Sequence, residues 1–338
     1  MREGQNPAKR DVPAYRPERL GVVTLVYIPF QNGYYAQSWQ VFLRHIASLR
    51  QYTPEPYNYT VFDNGSCPEV RRELAALQEA GWIDWLTLSA HNLGKTGALN
   101  AVLPGLPNEW VCYVDSDMLF RPGWLEESWK IEQAFPNCGM IGAQIIFPDW
   151  EVDRGNTAFR QSGDPRFVFD TVQPEGWMVE EYCRGRGISA QRRDFYAAMQ
   201  LDRVTERESG VQAILGGNSH QQYLARKEVL QHILPLPAGL QLSRQEDTHQ
   251  DRELDRLGYL HLTTTRPYLY HMGNTLDEEL GPELARLALP GGAAGAPPVS
   301  VRRTKNHPVY RALERLSRSK TGRKWLVRLY DNLYDILS

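Results

Sequence analysis

The stretch WVCYVDSDM, residues 110–118, joins a continuous apolar run to a pair of acids, and it decides the fold. Residues 110–114 do not alternate between apolar and polar side chains, which is typical of a strand covered on both faces. Strands of this kind lie inside parallel sheets, between two layers of helices. The acids, Asp115 and Asp117, follow where the strand ends. Ligands of open α/β sheets bind at this carboxyl edge, so the stretch predicts both a fold and the position of a site.

On the N-terminal side of this stretch, short β-branched or aromatic runs alternate with amphipathic segments. Strands are predicted at 21–28, 57–62 and 83–88, and helices at 36–51, at 68–80 and from about Lys95 onward. In the helix at 36–51 the apolar residues recur at helical spacing, so one face packs against a core. Strands that alternate with helices in this way form a parallel sheet. The predicted fold class is therefore α/β, with a Rossmann-like, mostly parallel sheet flanked by helices.

Composition divides the rest of the chain into segments of different character. We predict a polar lead-in at 1–19, a main α/β domain at 20–290 with a less regular insertion at 147–213, a linker at 291–300 and a basic helical tail at 301–338. After the insertion, helices are predicted near 224–233, 245–257 and 276–287, and a strand runs through Tyr270. The linker is rich in glycine, alanine and proline, which is typical of a flexible connection.

The overall composition fits an ordinary globular protein, with 42% hydrophobic and 23% charged residues in 338. The formal net charge of −2 gives no field that would attract nucleic acid. No apolar run approaches the ~20 residues that a membrane helix needs, and the N-terminal residues lack the apolar core of a signal peptide. The four cysteines form no Cys-x-x-Cys pair, which favours a reducing compartment. We therefore expect a cytoplasmic protein without a nucleic-acid partner.

The tail at 301–338 differs from the rest of the chain in charge. It has ten Lys or Arg residues against three Asp or Glu, a net charge of about +7. Its apolar residues recur at near-helical spacing, and Gly322 divides them into two predicted helices. One interpretation is peripheral contact with an anionic membrane at its inner face. The other, which we favour slightly, is packing on the main domain or on a partner subunit; the oligomeric state stays open, and a homo-oligomer is one of its alternatives.

Asp115 and Asp117 form an Asp-x-Asp pair, whose carboxylates point the same way where the strand ends. Carboxylate oxygens are hard ligands that suit Mn²⁺ or Mg²⁺, and substrate phosphates usually complete the coordination of such ions. A metal placed here would neutralise the charge that develops on a diphosphate leaving group. A plain turn cluster is the alternative for the tripeptide alone, and its position after a buried strand favours the metal site.

Two loops before this pair are candidates for nucleotide contacts. Asp63 ends the second strand and could accept the ring N–H of a pyrimidine base, although for this residue alone a simple Asx turn is the favoured interpretation. The loop Asn92-Leu93-Gly94-Lys95 enters a helix, where backbone N–H groups attract anions and the lysine could meet phosphate or base. It is not a P-loop, because the G-x-x-x-x-G-K-[ST] pattern is absent.

Two further candidates lie after the insertion. Glu246 and Asp247 open a helix, where acids often serve only as a favourable cap. The functional alternative is that Asp247 acts as a general base and takes the proton of an attacking hydroxyl. His271 follows a strand-like run and could complete a metal site with Asp117, or be a structural residue.

Read together and in order, seven segments resemble the inverting glycosyltransferases of family 2, which have the GT-A fold. They are VYIP, VFDNGS, NLGKTGALN, VCYVDSDM, GGNSH, QEDTHQDRELDRLGYL and YHMGNT, and they cover roughly residues 20–275 with a gap over the insertion. The resemblance implies that 20–290 is a GT-A catalytic domain. It also implies metal-dependent transfer of a sugar from a nucleotide-diphosphate-sugar, with UDP the expected nucleotide, to an acceptor hydroxyl.

The resemblance implies a role for each matching residue. For the nucleotide, it implies base binding by Ile28, Pro29 and Asp63, contacts to base and diphosphate by Asn92, Gly94 and Lys95, and contact to the ribose by Asp115. For the metal, it implies binding by Asp117, beside Asp115, and by His271. For the reaction, it implies that Gly217 and Asn218 line the sugar and acceptor pocket and that Asp247, in its pair with Glu246, removes the proton.

The departures from the family pattern bear on the substrate. The Gln-x-x-Arg-Trp motif of processive synthases is absent, so transfer of a single sugar is expected. The acceptor stays open between a small molecule, a glycan and a lipid-linked molecule. A nucleotidyltransferase that makes nucleotide sugars is an alternative, but it would need a Gly-rich, Arg-containing loop where Pro29-Phe30-Gln31-Asn32 stands. A catalytically silent module that binds sugar nucleotides is the other alternative.

Overall fold

The computed structural model describes residues 15–135, 137–145, 147, 156–216, 220–239 and 245–292, and it does not describe the side chains of 156, 157, 190, 191, 245–247 and 292. The chain divides into two units, Met1–Ala294 and Gly295–Ser338, and all described residues belong to the first. The predicted tail at 301–338 and nearly all of the linker at 291–300 therefore lie outside the described residues, as does most of the lead-in.

The first half of the domain alternates between strands and helices as predicted. Its elements are β1 (Leu20–Val26), α1 (Ser38–Tyr52), β2 (Tyr57–Asp63), α2 (Pro68–Glu79), β3 (Trp85–Leu88), α3 (Gly94–Val102) and β4 (Trp110–Asp115). Proline at the start of α2 fits its first turn, where no intrahelical N–H is needed.

The second half is more mixed. It begins with β5 (Met118–Phe120), α4 (Trp124–Ala134) and β6 (Cys138–Gly142). The insertion contributes α5 (Asn156–Gln161), β7 (Phe167–Val172), α6 (Gly176–Gly185), α7 (Ala190–Ala197), β8 (Leu201–Glu206) and β9 (Gln212–Leu215). Then follow β10 (Gln222–Arg226), α8 (Lys227–Ile233), α9 (Gln245–Arg256), β11 (Leu260–Thr263), β12 (Leu269–His271) and α10 (Gly281–Leu284).

Ten strands form one sheet in the order β3-β2-β1-β4-β10-β6-β11-β9-β8-β7, and β12 and β5 form a separate pair. β1 lies between β2 and β4 and is parallel to both, with Val26 opposite Asp63 and Leu25 opposite Asp115. This register brings the ends of β2 and β4 to one edge on either side of β1. The α/β fold class with helices flanking a large sheet is confirmed.

Both faces of the central strands are buried, as the missing polar alternation predicted. On β1, Val22 packs in one apolar cluster with Phe42 of α1, and its neighbour Val23 packs in another with Leu99 of α3. Phe42 is fully buried, so truncating it to alanine would cost about 3–5 kcal/mol. This double layer of packing holds the carboxyl edge of the sheet in place.

Three predicted elements are wrong in detail. Residues 224–226, predicted to be helical, belong to β10, because β10 is an interior strand between β4 and β6, where sheet pairing overrides local helix propensity. The helix predicted near 276–287 is reduced to the 3₁₀ turn Glu278–Leu280 and the short α10, because Pro282 fits only a first turn. The insertion is regular: β7, β8 and β9 form an antiparallel meander that extends the main sheet beyond β11.

Within the part of the chain that the structure describes, no helix has the length and apolar character needed to cross a bilayer.

Candidate active site

The centre of the candidate site is the turn between β4 and β5, which carries Asp117. β5 pairs with β12 so that His271 lies opposite Met118. The backbone N–H of Met272 donates to the carbonyl of Asp117 at 2.8 Å, and His271 Nε2 lies 3.2 Å from Asp117 Oδ2. The small two-stranded sheet therefore brings together the two predicted metal ligands from distant parts of the chain.

The imidazole of His271 is held by the end of α6. Its Nδ1 donates to the carbonyl oxygen of Gly185 at 2.8 Å, so the neutral ring carries its lone pair on Nε2, and the protonated ring donates from Nε2 to Asp117. A Cβ at position 185 would lie only 2.4 Å from the carbonyl oxygen of His271, so this approach requires glycine. The insertion thus fixes the tautomer and orientation of the histidine.

The pair fits a divalent cation. Asp117 Oδ1 is buried and has no hydrogen-bond partner among the described residues, which is costly unless a ligand satisfies it. His271 Nε2 and Asp117 Oδ2 lie 3.2 Å apart, and imidazole nitrogen and carboxylate oxygen are ligands that could together hold one divalent cation. In the described part of the chain no group of three His, Cys, Asp or Glu residues could hold a metal ion. Substrate phosphates usually complete the coordination of Mn²⁺ or Mg²⁺.

Asp117 and His271 each shift the pKa of the other toward its charged form. Burial alone would raise the pKa of Asp117, but the charge and hydrogen bond of His271 outweigh it and hold this pKa below its usual value. For His271, burial lowers the pKa, yet Asp117 raises it more, so the net shift is upward. The neighbouring Asp115 has a raised pKa, chiefly because it is buried.

Asp115, at the end of β4, is paired with the lysine of the predicted loop. Lys95 Nζ lies 3.4 Å from Asp115 Oδ1, which also accepts a hydrogen bond from the hydroxyl of Tyr113. Lys95 also donates to the carbonyl of His220 at 2.9 Å and lies 5.1 Å above the Tyr113 ring. The structure therefore joins two predicted site residues, Lys95 and Asp115, and adds Tyr113, which no sequence motif indicated.

Asp63 is fully buried and both of its oxygens are engaged within the chain. Its Oδ1 accepts from the backbone N–H of Ser66 at 3.1 Å, and its Oδ2 accepts from Arg71 Nε at 3.0 Å. Ser66 Oγ in turn accepts from the N–H of Ile28, at 2.9 Å, just before Pro29. The Asx turn is thus present, and it fixes the end of β1 where base binding was predicted.

Asn64 organises the loop that carries Asn92 and Gly94. Its Nδ2 donates to Asn92 Oδ1 at 3.0 Å and to the carbonyl of Gly94 at 3.2 Å, while its Oδ1 accepts from the N–H of Leu93 at 2.8 Å. Gly94 has a φ of +68°, a left-handed conformation that favours glycine. The conformation of the loop is therefore held by hydrogen bonds within the chain.

The helix α9 begins at Gln245, so its first turn carries Glu246 and Asp247, whose side chains lie outside the described residues. Gly217 and Asn218 also lie outside them. The predicted roles of these four residues stay predictions.

Asp251, one helical turn after Asp247, anchors α9 to the sheet. It is almost fully buried; its Oδ1 hydrogen-bonds with His220 Nε2 at 3.0 Å and lies 3.1 Å from His261 Nδ1. Burial would raise the pKa of Asp251, but the two imidazoles outweigh it and depress this pKa far below its usual range. The sequence analysis missed this cluster, although the spacing of Asp247 and Asp251 on one helix face was a usable signal.

Arg186, directly after α6, is a second residue that the sequence analysis missed. Its Nη2 donates to Gln221 Oε1 at 2.6 Å and to Gln144 Oε1 at 3.3 Å, and its guanidinium lies 4.2 Å above the Tyr182 ring. Its charge is close enough to interact with Asp117 and His271. No motif in the irregularly patterned insertion indicates this placement.

Part of the chain matches a known protein family. Residues 25–172, which carry Asp63, Lys95, Asp115 and Asp117, match the family model described as Glycosyl transferase family 2. The predicted enzyme class, a glycosyltransferase, is confirmed. The match covers somewhat less than half of the chain and supports the predicted relationship to family 2. No curated protein matches the sequence.

Several solved structures of glycosyltransferases are distantly similar. The mannosyltransferase PcManGT from Pyrobaculum calidifontis, in complex with GDP-Man and Mn²⁺, is 15% identical with a TM-score of 0.44, over 76% of this chain and 58% of its own. TarS 1-349 from S. aureus is 12% identical with a TM-score of 0.40, over 75% and 60%. GalNAc-T7 with UDP, GalNAc and Mn²⁺ is 12% identical with a TM-score of 0.45, over 76% and 44%. The chain spans less than two thirds of the length of each, and likeness at this level says nothing about its donor or acceptor.

Proposed function

We propose that this glycosyltransferase transfers one sugar per cycle from a nucleotide-diphosphate-sugar, expected to be a UDP-sugar, to an acceptor hydroxyl with inversion at the anomeric carbon. The observation that carries the proposal is the pair of Asp117 and His271. Its unsatisfied Asp117 oxygen and its oriented imidazole lie beside Asp115 and Lys95, at the sheet edge where α/β folds bind ligands.

The donor would lie across the ends of β1, β2 and β4. The base would meet Ile28 and Pro29 at the end of β1. Asp63, which is fully buried, would shape this end of the pocket through its hydrogen bonds with Ser66 and Arg71. The ribose would meet Asp115, which Lys95 and Tyr113 hold in place.

The diphosphate would lie between the loop of Asn92, Gly94 and Lys95 and the cation site. Asp117 and His271 would hold the cation, which supplies Lewis-acid stabilisation of the departing diphosphate when it is bound. Imidazole nitrogen suits transition metals better than it suits Mg²⁺, so we expect Mn²⁺ to support higher activity than Mg²⁺.

The acceptor would approach from the side opposite the diphosphate, near Gly217, Asn218 and the start of α9. We propose that Asp247 takes the proton of the acceptor hydroxyl as that oxygen bonds to the anomeric carbon, with Glu246 beside it. The bond from the anomeric carbon to the diphosphate oxygen breaks, and its electron pair leaves with the diphosphate. The buried contacts of Asp251 with His220 and His261 would hold α9 for this step.

The test is a donor-hydrolysis assay on the full chain. Purified protein is incubated with radiolabelled UDP-, GDP- and dTDP-sugars, with Mn²⁺, with Mg²⁺ or with EDTA. We expect slow, metal-dependent release of the nucleoside diphosphate from one of the donors, lost in Asp117→Asn. Release of pyrophosphate from a nucleoside triphosphate and a sugar 1-phosphate would instead identify a nucleotidyltransferase. Tight binding of a donor without release of its nucleoside diphosphate would identify a silent binding module.

A further inference from the structure

We propose that Arg186, which the insertion supplies, binds the diphosphate of the donor and stabilises it as it leaves. This inference rests on the proposed function and adds to it a residue outside the sequence segments that carry the resemblance to family 2.

The first observation is that the backbone places Arg186 against the proposed cation site. Gly185, its neighbour, accepts a hydrogen bond from His271 Nδ1 and approaches the His271 backbone so closely that a Cβ would clash. The peptide that leads into Arg186 is therefore fixed to one of the two residues that would hold the cation.

The second observation is that neutral groups hold the guanidinium. Nη2 donates to the side-chain oxygens of Gln221 and Gln144, and the ring of Tyr182 supports one face. The carbonyl of Gln221 also accepts from the N–H of Asp115 at 2.7 Å, which ties this arrangement to the end of β4. The position of the guanidinium is thus set without a carboxylate.

The third observation is a charge without a direct ion pair, since Asp117 acts on Arg186 only through space. Within the described residues Arg186 forms no ion pair with a carboxylate, and its Nη1 is buried without a hydrogen-bond partner. Two other arginines in this region are paired: Arg184 with Asp277 and Glu279, and Arg121 with Glu181 and Glu283. A cation withdrawn from water needs an anion, so a bound anionic group is the missing partner of Arg186.

The charges of the site match a diphosphate. Lys95 and Asp115 neutralise each other. A divalent cation at Asp117 leaves one positive charge, and Arg186 adds another. A nucleotide-diphosphate-sugar carries one negative charge on each of its phosphates, and more charge develops on the outer phosphate as the sugar leaves. An arginine can meet two phosphate oxygens at once through its planar fork, and it gains strength as that charge grows.

The experiment compares diphosphate with monophosphate binding. Binding of UDP and UMP, GDP and GMP, and dTDP and dTMP is measured by titration calorimetry in Mn²⁺, for the full-length wild type, Arg186→Ala, Arg186→Lys and Arg184→Ala. The Arg184 variant is the matched control. Arg184 lies two residues before Arg186 and carries the same charge, but carboxylates already pair with it. Circular dichroism melting checks that each variant is folded.

We expect Arg186→Ala to weaken binding of the preferred diphosphate by about 10–100-fold, while binding of its monophosphate changes by less than about twofold. Arg186→Lys should lie between the two, since lysine restores the charge but not the fork. Arg184→Ala should match the wild type. With the donor, kcat of Arg186→Ala should fall further than the monophosphate affinity does.

Two results would overturn the inference. One is an unchanged affinity for both the diphosphate and the monophosphate in Arg186→Ala. The other is an equal loss for both ligands, which would mean that the residue only supports the fold. If the wild type binds none of the three diphosphates, the proposed function itself fails. If the wild type binds a diphosphate and Arg186→Ala keeps the same preference for diphosphate over monophosphate, only the inference about Arg186 fails.

Discussion

Asp251→Asn tests whether the buried cluster under α9 supports both the fold and the reaction. The substitution keeps the size of the side chain and removes its charge. Asp251 is about 1% exposed, and its Oδ1 lies 3.0 Å from His220 Nε2 and 3.1 Å from His261 Nδ1. Hydrogen bonds to a charged group contribute about 1.5–3 kcal/mol each, and asparagine can replace part of this. We expect the free energy of unfolding to fall by about 2–4 kcal/mol.

The measurement is urea unfolding at pH 7, followed by tryptophan fluorescence. The matched control is Glu253→Gln on the same helix, whose ion pair with Arg256 lies at the surface and should contribute less than about 1 kcal/mol. Sugar transfer by Asp251→Asn should also fall under conditions where the variant stays folded, because the start of α9 is no longer held. A loss of less than about 1 kcal/mol, or an equal loss in Glu253→Gln, would refute the reasoning.

The pH dependence of the same variant has a definite sign. The folded protein holds the pKa of Asp251 far below its usual range, because the imidazoles outweigh the effect of burial. The carboxylate therefore adds stability at every pH above its unfolded pKa of about 3.9, and this stability is lost as the pH falls below that value. The gap in unfolding free energy between wild type and Asp251→Asn should narrow as the pH falls below about 4.

Four further predictions concern the proposed site and the tail. Asp117→Asn should lower donor turnover by at least about 100-fold and weaken Mn²⁺ binding, as measured by metal titration; wild-type metal affinity would contradict the metal role. Asp247→Asn should keep UDP affinity within about twofold and lower turnover by about 10²–10⁴-fold, so a near wild-type rate would exclude Asp247 as the base. Gly185→Ala should displace His271 and weaken Mn²⁺ binding by about 10-fold, with unchanged affinity counting against the clash. A version truncated at 300 should bind anionic liposomes as the full chain does if the tail packs on protein, whereas reduced co-sedimentation would support membrane contact.

The sequence predicted those parts of the site that follow directly from strand ends. Asp63, Asp115 and Asp117 come after buried strands, and parallel strands place their carboxyl ends at one edge, so no knowledge of distant packing was needed. His271 could also be proposed as a metal ligand, because a histidine after the last core strand matched the family pattern.

The sequence could not predict contacts that depend on pairing between distant elements. Arg186 reaches the site only because the insertion forms its own meander and its α6 ends against β12. The Asp251 cluster depends on the position of β11 between β6 and β9, which local propensity does not specify. The same limit explains the error at 224–226, where an interior strand position overrides helical propensity.

The carbonyl of Gly185 makes the insertion part of the machinery rather than an attachment to it. An engineer who wished to graft a different insertion onto this domain would have to keep Gly185 and Arg186 in place. β7 and β8 lie at the far edge of the sheet and could be exchanged with little consequence for His271. An exchange that removed Gly185 and Arg186 would remove the carbonyl oxygen that sets the tautomer of His271.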